Sequence, residues 1–268
     1  MPELPEAEYM VRRLREYAPD AVIRTARVLR ESVAAPPGAS ALARRARGRV
    51  TGYERRAKNV LIHLDTGWSI RIQLGMSGHV YWVRSAKQPP RFTRVLFLLQ
   101  GGAAIVFEDA RTFGSAAVHR TQDLAEILAD YGPEPLDAAF RWTDLRDAAR
   151  NLRQPVKPFL LDQRRVAGLG NIWAAESLFA AGIHPERGTG TLTEQEWRAL
   201  HRGIRSTLRR AIANTFKVTK APEEFPEADL LQANVYGRAG LPCRRCRQPV
   251  ARAIQAARST YWCPQCQK

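Results

Sequence analysis

Pro2, Glu3 and Glu6 stand at the head of the chain, within MPELPEAE. A small residue in second position permits removal of Met1, which leaves a secondary amine as the chain terminus. An α-amino group titrates near roughly 7.7–8.0, so a useful fraction is neutral at neutral pH, where a lysine would need a large downward shift. Attack of a secondary amine on the anomeric carbon of a sugar must give a cationic iminium. That cation is an electron sink, and it makes the neighbouring C–H easy to deprotonate. A carboxylate beside it, Glu3 or Glu6, can protonate the ring oxygen as the sugar opens. The same residues also suit an ordinary helix start, with proline in the first turn and acids at the positive end of the dipole. Spacing alone leaves both readings open.

A second set of reactive residues closes the chain. All four cysteines fall in the last 26 residues, as Cys243-x-x-Cys246 and Cys263-x-x-Cys266 with 16 residues between the pairs. Two residues between paired cysteines let both thiolates face one ion, and four soft thiolates favour tetrahedral zinc. Either pair alone could be a redox motif; two pairs at this spacing point to one structural zinc. A four-cysteine site is closed to water, so its task is to hold the intervening hairpin and the arginine on it, Arg258. Lysines are few, six against 36 arginines, which singles out Lys58, Lys157 and Lys217 as places where an amine is needed, with chance retention as the alternative.

These residues must be positioned by two different kinds of structure. Leu4, Ala7, Val11, Leu14 and Tyr17 predict a helix over 3–17. Residues 22–118 read mainly as strands, with hairpins around Thr66-Gly67 and Gly101-Gly102. Asp130–Leu136 reads as a linker, and helical periods follow at about 143–151, 155–164, 170–181 and 193–214. Residues 215–233 read as irregular. The expected fold class is multidomain α and β. A β-rich domain with an N-terminal helix spans 1–130, a linker 131–137, a helical domain 138–235 and a metal module 236–268.

Composition limits the partners. Lys and Arg number 42 against 26 acids, a formal charge of +16, which favours a polyanion. No acid follows Asp229, while Arg238, Arg244, Arg245, Arg247, Arg252, Arg258 and Lys268 do. That one-sign tail is expected on phosphates or in solvent. The first residues carry carboxylates and no apolar run, so neither a secretory leader nor a membrane span is expected. The protein reads as a cytosolic monomer.

Six stretches taken together resemble the formamidopyrimidine-DNA glycosylase/endonuclease VIII family. They are MPELPEAE, LGMSG at 74–78, DARTFG at 109–114, YGPEPL at 131–136, LLDQRRVAGLGNIWAAESLFAAGIHPER at 160–187, and VYGRAGLPC with the second cysteine pair. The resemblance runs in register from residue 2 to residue 267 and is closer to the formamidopyrimidine branch. It implies a β-sandwich domain, a helix–two-turn–helix domain with a zinc finger, and a cleft for kinked double-stranded DNA with its damaged base flipped out. It also implies roles. Pro2 matches the nucleophile and Glu3 the general acid. Lys58 matches an assisting lysine, and Arg258 an arginine that grips phosphates flanking the lesion. Met76, Arg111 and Phe113 match side chains that enter the gap left by the flipped base, restoring part of the few kcal/mol of lost stacking. Asn171 and Lys157 are expected on phosphates, Lys217 lies near a lysine of the base-covering loop, and Glu6 belongs with the DNA-contacting set.

The activity implied is that of a bifunctional DNA glycosylase and AP lyase acting on oxidised purines by β- and δ-elimination, in the bacterial cytosol or nucleoid. An endonuclease VIII-like enzyme for oxidised pyrimidines is the alternative. A non-catalytic DNA-binding protein on the same scaffold would be expected to lose Pro2, Glu3 or Lys58, and all are present. The guanidinium of Arg111 has donors and no acceptor, which suits an unpaired cytosine better than an adenine. Gln73, Phe92, Arg94 and Thr112 depart from the residues usual in the formamidopyrimidine branch, as does the loop at 215–233.

Overall fold

The apolar stripe that opens the chain forms helix α1, Leu4–Tyr17. Leu4, Ala7, Met10, Val11 and Leu14 recur at helical spacing and are at most 1% exposed. In this computed structural model residues 2–219, 221, 223–224 and 232–268 are described. They fall into two units, one of 1–129 with 219–225, the other of 130–218 with 226–268.

In the first unit eight strands follow α1: β1 (Val22–Val28), β2 (Gly48–Arg56), β3 (Asn59–Leu64), β4 (Trp68–Gln73), β5 (Gly78–Val83), β6 (Thr93–Leu99), β7 (Ala104–Asp109) and β8 (Ser115–Arg120). Helix α2 (Ala39–Arg45) interrupts them and α3 (Leu124–Ile127) follows them. The order is β5-β7-β6-β1-β2-β3-β4-β8, antiparallel throughout. β1 and β2 share only Val22↔Arg49 and Ile23↔Gly48. There the ladder turns over, and its halves form a β-sandwich around one core. Phe97, Ile105 and Phe107 come from one layer, Val60, Ile62 and Ile72 from the other, and the inner face of α1 joins them. Both expected hairpins form. The β6–β7 turn uses Gly101 and Gly102 at φ +92° and +91°, where a side chain would be strained. Helix α2 was not expected in a region read as strands. Only Ala41 and Leu42 of it are buried, too short a stripe to show a period.

The second unit contains α4 (Trp142–Ala148), α5 (Val156–Leu161), α6 (Asn171–Ala181), α7 (Glu194–Val218) and the hairpin β9 (Ala251–Gln255)–β10 (Arg258–Trp262). Helix α6 is buried on every face from Asn171 to Phe179, so it is the centre of this unit. Helix α7 turns Trp197, Leu200, Ile204, Leu208 and Ile212 inward. Glu176 of α6, 1% exposed, accepts hydrogen bonds from the backbone N–H groups of Asn234, Val235 and Tyr236 and from the Asn234 side chain, at 2.8–3.0 Å. Those bonds fix the chain that enters the cysteine module. Val235, Cys243, Val250 and Cys263 then pack with Ala175 and Phe179 of α6.

The expectation that 215–233 is irregular fails at its start. Helix α7 continues to Val218, with the Thr215 hydroxyl donating to the Ala211 carbonyl at 3.0 Å. Residues 220, 222 and 225–231 lie outside the described residues. Among the described residues no helix is long and apolar enough to cross a membrane.

Gly203 marks the closest approach of α7 to α6. A Cβ there would lie 2.8 Å from the Ser177 carbonyl oxygen and 3.3 Å from the Ala181 nitrogen. Alanine is the better helix former by about 0.8–1 kcal/mol, but it must push two helices apart, at roughly 1–3 kcal/mol. Gly203→Ala is therefore expected to lower the urea midpoint; a raised midpoint would show that the contact yields.

Candidate active site

Pro2 is buried immediately before α1, and Glu3, 0% exposed, is the residue at the helix N-cap. The Glu3 N–H donates to Glu6 Oε2 at 2.8 Å, so Glu6 serves the helix start. The helix-start reading holds for this segment: Glu6 caps, and Glu3 sits beside Pro2, away from bulk water. Glu8, one turn on, anchors the other side of the site. It accepts from Arg12 at 2.7 Å and from Arg55 of β2 at 3.0 Å. Burial raises its pKa, but Arg12 and then Arg55 outweigh this and hold the carboxyl below its ordinary value.

Arg55 also donates to the Ala57 carbonyl at 3.1 Å. Ala57 and Lys58 form the turn between β2 and β3, with Ala57 fully buried at φ +52°. Lys58 therefore stands on a tight turn that one guanidinium ties to the helix carrying Pro2 and Glu3. Asn59 steadies the far side, donating to the Arg56 carbonyl and accepting from Arg71, each at 2.9 Å.

Met76 and the pair Arg111/Phe113 project from two loops of the same unit. Met76 is 40% and Phe113 58% exposed. The Arg111 guanidinium lies 4.9 Å from the centre of the Phe113 ring. The loops interlock at Gly75, where a Cβ would come within 2.5 Å of the Gly114 nitrogen, at a φ of +59°.

In the second unit Gly168 (φ +78°), Leu169, Gly170 and Asn171 lead into α6, and Gln163 braces the turn. Gln163 accepts from the Gly168 N–H at 2.9 Å and donates to the Leu169 carbonyl at 2.7 Å. Lys157 differs from expectation. It is 1% exposed, and its ammonium donates to Asn171 Oδ1 and Thr260 Oγ1 at 2.7 Å and to the Ser259 carbonyl at 3.2 Å. An ammonium has only three protons to give. Lys157 is thus committed to joining α5, the start of α6 and β10 rather than presented to a phosphate. Asn171, 7% exposed, also donates to the Ser259 carbonyl at 3.0 Å. Arg258 is exposed at the head of β10, after Ala256 and Ala257 at φ +47° and +58°. Lys217 is exposed on the last turn of α7, on a helix rather than a loop.

The sulfur atoms of Cys243, Cys246, Cys263 and Cys266 all lie within 4.8 Å of one another, and none forms a disulfide. Tetrahedral zinc with bonds of about 2.3 Å places its sulfurs about 3.8 Å apart, so the four thiols fit one structural zinc. The Arg245 N–H donates to Cys243 Sγ at 3.4 Å, the kind of bond that steadies a thiolate.

Sequence reasoning missed three positions. Asp109 and Ser77 lay inside the quoted motifs without a role, and His79 was not singled out. His79 faces Glu108 across the β5–β7 ladder. Burial pushes its imidazole down to about 4, against the opposing pull of Asp109.

These features match known families along the chain. Residues 1–116 match the formamidopyrimidine-DNA glycosylase N-terminal domain and residues 131–221 the formamidopyrimidine-DNA glycosylase H2TH domain. Residues 240–268 match the zinc finger found in FPG and IleRS. This chain belongs to the formamidopyrimidine-DNA glycosylase family. The formamidopyrimidine-DNA glycosylase of Chloroflexus aggregans is 39% identical over 274 residues, covering 100% of this chain and 98% of the relative. That of Gluconobacter oxydans is 38% identical over 280 residues, covering all of both. Among solved structures, the MutM (Fpg) protein of Thermus thermophilus aligns with a TM-score of 0.85 and 34% identity, over 99% of this chain and 98% of that one. Lactococcus lactis Fpg in complex with abasic-site DNA aligns at 0.90 and 27%, over 99% of both.

Two outcomes are expected. Elemental analysis should find one zinc per chain, and Cys263→Ser should lose it and weaken DNA binding while the β-sandwich stays folded; active protein without zinc would refute the assignment. The pKa of His79 is lowered from 6.5 to about 4 on folding. Its neutral form is thus favoured by the native state, and the stability it supports is present above pH 6.5 and lost as the pH falls toward 4. Unfolding free energies of wild type and His79→Gln should diverge over that window, wild type falling faster; parallel curves would show that the imidazole is not buried in solution.

Proposed function

We propose that this protein is a bifunctional DNA glycosylase and AP lyase of base excision repair that uses Pro2 as nucleophile on oxidised purines in double-stranded DNA. The observation that carries the reading is the start of α1. Pro2 is buried next to a fully buried Glu3, and Arg55 ties the same helix to the turn bearing Lys58. With Met1 removed, the neutral Pro2 nitrogen attacks C1′ and the bond from C1′ to the base breaks. The base leaves with the bonding electron pair and takes up the proton that the Pro2 nitrogen gives up. Glu3 protonates the ring oxygen as the C1′–O4′ bond opens, and the iminium forms. Loss of a C2′ proton to a base then expels the 3′ phosphate, and a second elimination expels the 5′ phosphate. Lys58 supplies a positive charge beside the backbone during these steps.

The remaining residues hold the substrate. Met76, Arg111 and Phe113 fill the gap left by the flipped base; Met76 and Phe113 are exposed apolar tips on two loops that interlock at Gly75, open to a partner. Asn171 at the head of α6 and Arg258 on the zinc hairpin hold phosphates, with Lys157 aligning the two from behind. Lys217 contributes charge at the end of α7. The functional division follows 1–130, 138–235 and 236–268, joined by 131–137. The protein acts as a monomer in the bacterial cytosol.

Borohydride reduces an iminium to a stable adduct, so the protein should be captured on DNA with an abasic site, through Pro2. Glu3→Gln should slow base release by about 100-fold or more. Undiminished capture by protein with a blocked N-terminus would overturn the reading. Faster release of oxidised pyrimidines than of oxidised purines in the same duplex would move the protein to the endonuclease VIII-like branch.

A further inference from the structure

Asp109 ends β7 and is fully buried, at the point where the two loops with exposed apolar tips meet. One of its carboxylate oxygens, Oδ1, accepts from the Ser77 hydroxyl in a short hydrogen bond and from the Arg111 N–H at 3.2 Å. The other, Oδ2, accepts from the Gly114 N–H at 2.7 Å. The Arg111 N–H reaches the Ser77 hydroxyl as well, at 3.0 Å. One carboxylate thus joins the residue after Met76 to both ends of the segment that carries Arg111 and Phe113. Behind it Arg94 grips the main chain, donating to the Asp109 carbonyl at 2.6 Å and to the Ala110 carbonyl at 3.2 Å.

We propose that Asp109 is the positioning residue that locks Met76 to Arg111 and Phe113, so that the three enter the duplex as one rigid wedge, with Arg94 bracing the base of that wedge. The inference rests on the gap-filling role given to these side chains above. The tips are exposed and have little packing of their own, so their placement comes from the loop bases. Ordering each tip separately at the moment of binding would cost conformational entropy for each, and a prefolded wedge avoids that cost. An ionised carboxylate is an acceptor on every side, as a site facing a hydroxyl and two N–H groups requires. An amide of the same shape turns its NH2 toward one of those donors. A lysine in place of Arg94 carries no planar fork to span two carbonyls.

The test is single-turnover excision, by wild-type protein and variants, of the lesion that wild type removes fastest, placed opposite each of the four bases. Asp109→Asn should lower excision opposite the preferred base about tenfold, and should compress the spread across opposite bases as Arg111→Ala does. If Asp109 acts through Arg111, the double variant should fall no more than about twofold below Arg111→Ala alone. Arg94→Lys, which leaves the carboxylate and Ser77 in place, should compress the same spread to a smaller degree, and it carries the test if Asp109→Asn does not fold. Multiplying losses with an unchanged spread would mean that Asp109 merely stabilises the sheet, and would overturn the inference. Wild-type protein that excises no lesion would overturn the underlying reading, and the inference with it.

Discussion

The seating of helix α1 is the constraint on which the first unit depends, because α1 carries Pro2 and Glu3, the residues proposed for the chemistry. Pro2 lies immediately before α1, so its position is as good as the seating of that helix. The core contribution is large: Leu4, Ala7, Met10, Val11 and Leu14 are all buried, each worth roughly 1–3 kcal/mol of apolar transfer. Burial alone lets a helix rotate or slide, and polar contacts remove that freedom. Glu8 is held by Arg55, the Tyr53 hydroxyl donates to the Ala18 carbonyl at 2.7 Å, and Arg15 donates to the Tyr53 carbonyl at 3.1 Å. All three bonds run between α1, or the residue that ends it, and β2, the strand that leads into the Lys58 turn. At the far side of α1, Tyr9 and Arg13 donate to the carbonyls of Ala221 and Thr219 at 3.3 and 3.0 Å. The later chain segment is thereby built into the unit that carries Pro2.

Three buried charged residues do comparable work elsewhere. Asp109 joins residues 77, 111 and 114, Lys157 joins 171, 259 and 260, and Glu176 joins 234, 235 and 236. Removing an ion from water costs several kcal/mol, and hydrogen bonds often do no more than offset it. The return is geometric. A saturated ion accepts only one arrangement of its donors or acceptors, whereas apolar contacts tolerate sliding. Each of the three sits behind residues for which a DNA contact is proposed: Met76 with Arg111 and Phe113, Asn171 with Arg258, and the chain that leads into the zinc module. Lys157 shows the pattern: its ammonium joins the start of α6 to β10 through Asn171, Ser259 and Thr260.

The elements were legible where the pattern is long and one-sided. The period of Leu4 to Tyr17 predicted α1, alternation around Thr66-Gly67 predicted the β3–β4 hairpin, and helical periods located α5, α6 and α7 to within a few residues. The pattern failed where it is short, as in α2, and at the end of α7, where Thr215–Val218 continues the helix into a stretch read as irregular. The cysteine spacing was sufficient for the zinc, because two close pairs of thiolates bring their own geometry.

The sequence by itself determined the chemistry available: a proline that can become a terminal amine, carboxylates beside it, four thiolates, and a surplus of arginine. These are properties of residue type and short spacing, and folding does not alter them. Only the tertiary structure decided which groups face outward and which are consumed inside. Glu6 is spent on a helix start and Lys157 on a buried junction, while Met76 and Phe113, which a sequence places most naturally in a core, are left exposed. Asp109 has no role legible in the sequence, and it is a junction because Ser77 and Gly114, 32 residues before it and five after, converge on it. Burial and hydrogen bonding between distant segments depend on the approach of chains that local sequence does not encode, and so the roles of these side chains were decided at that level.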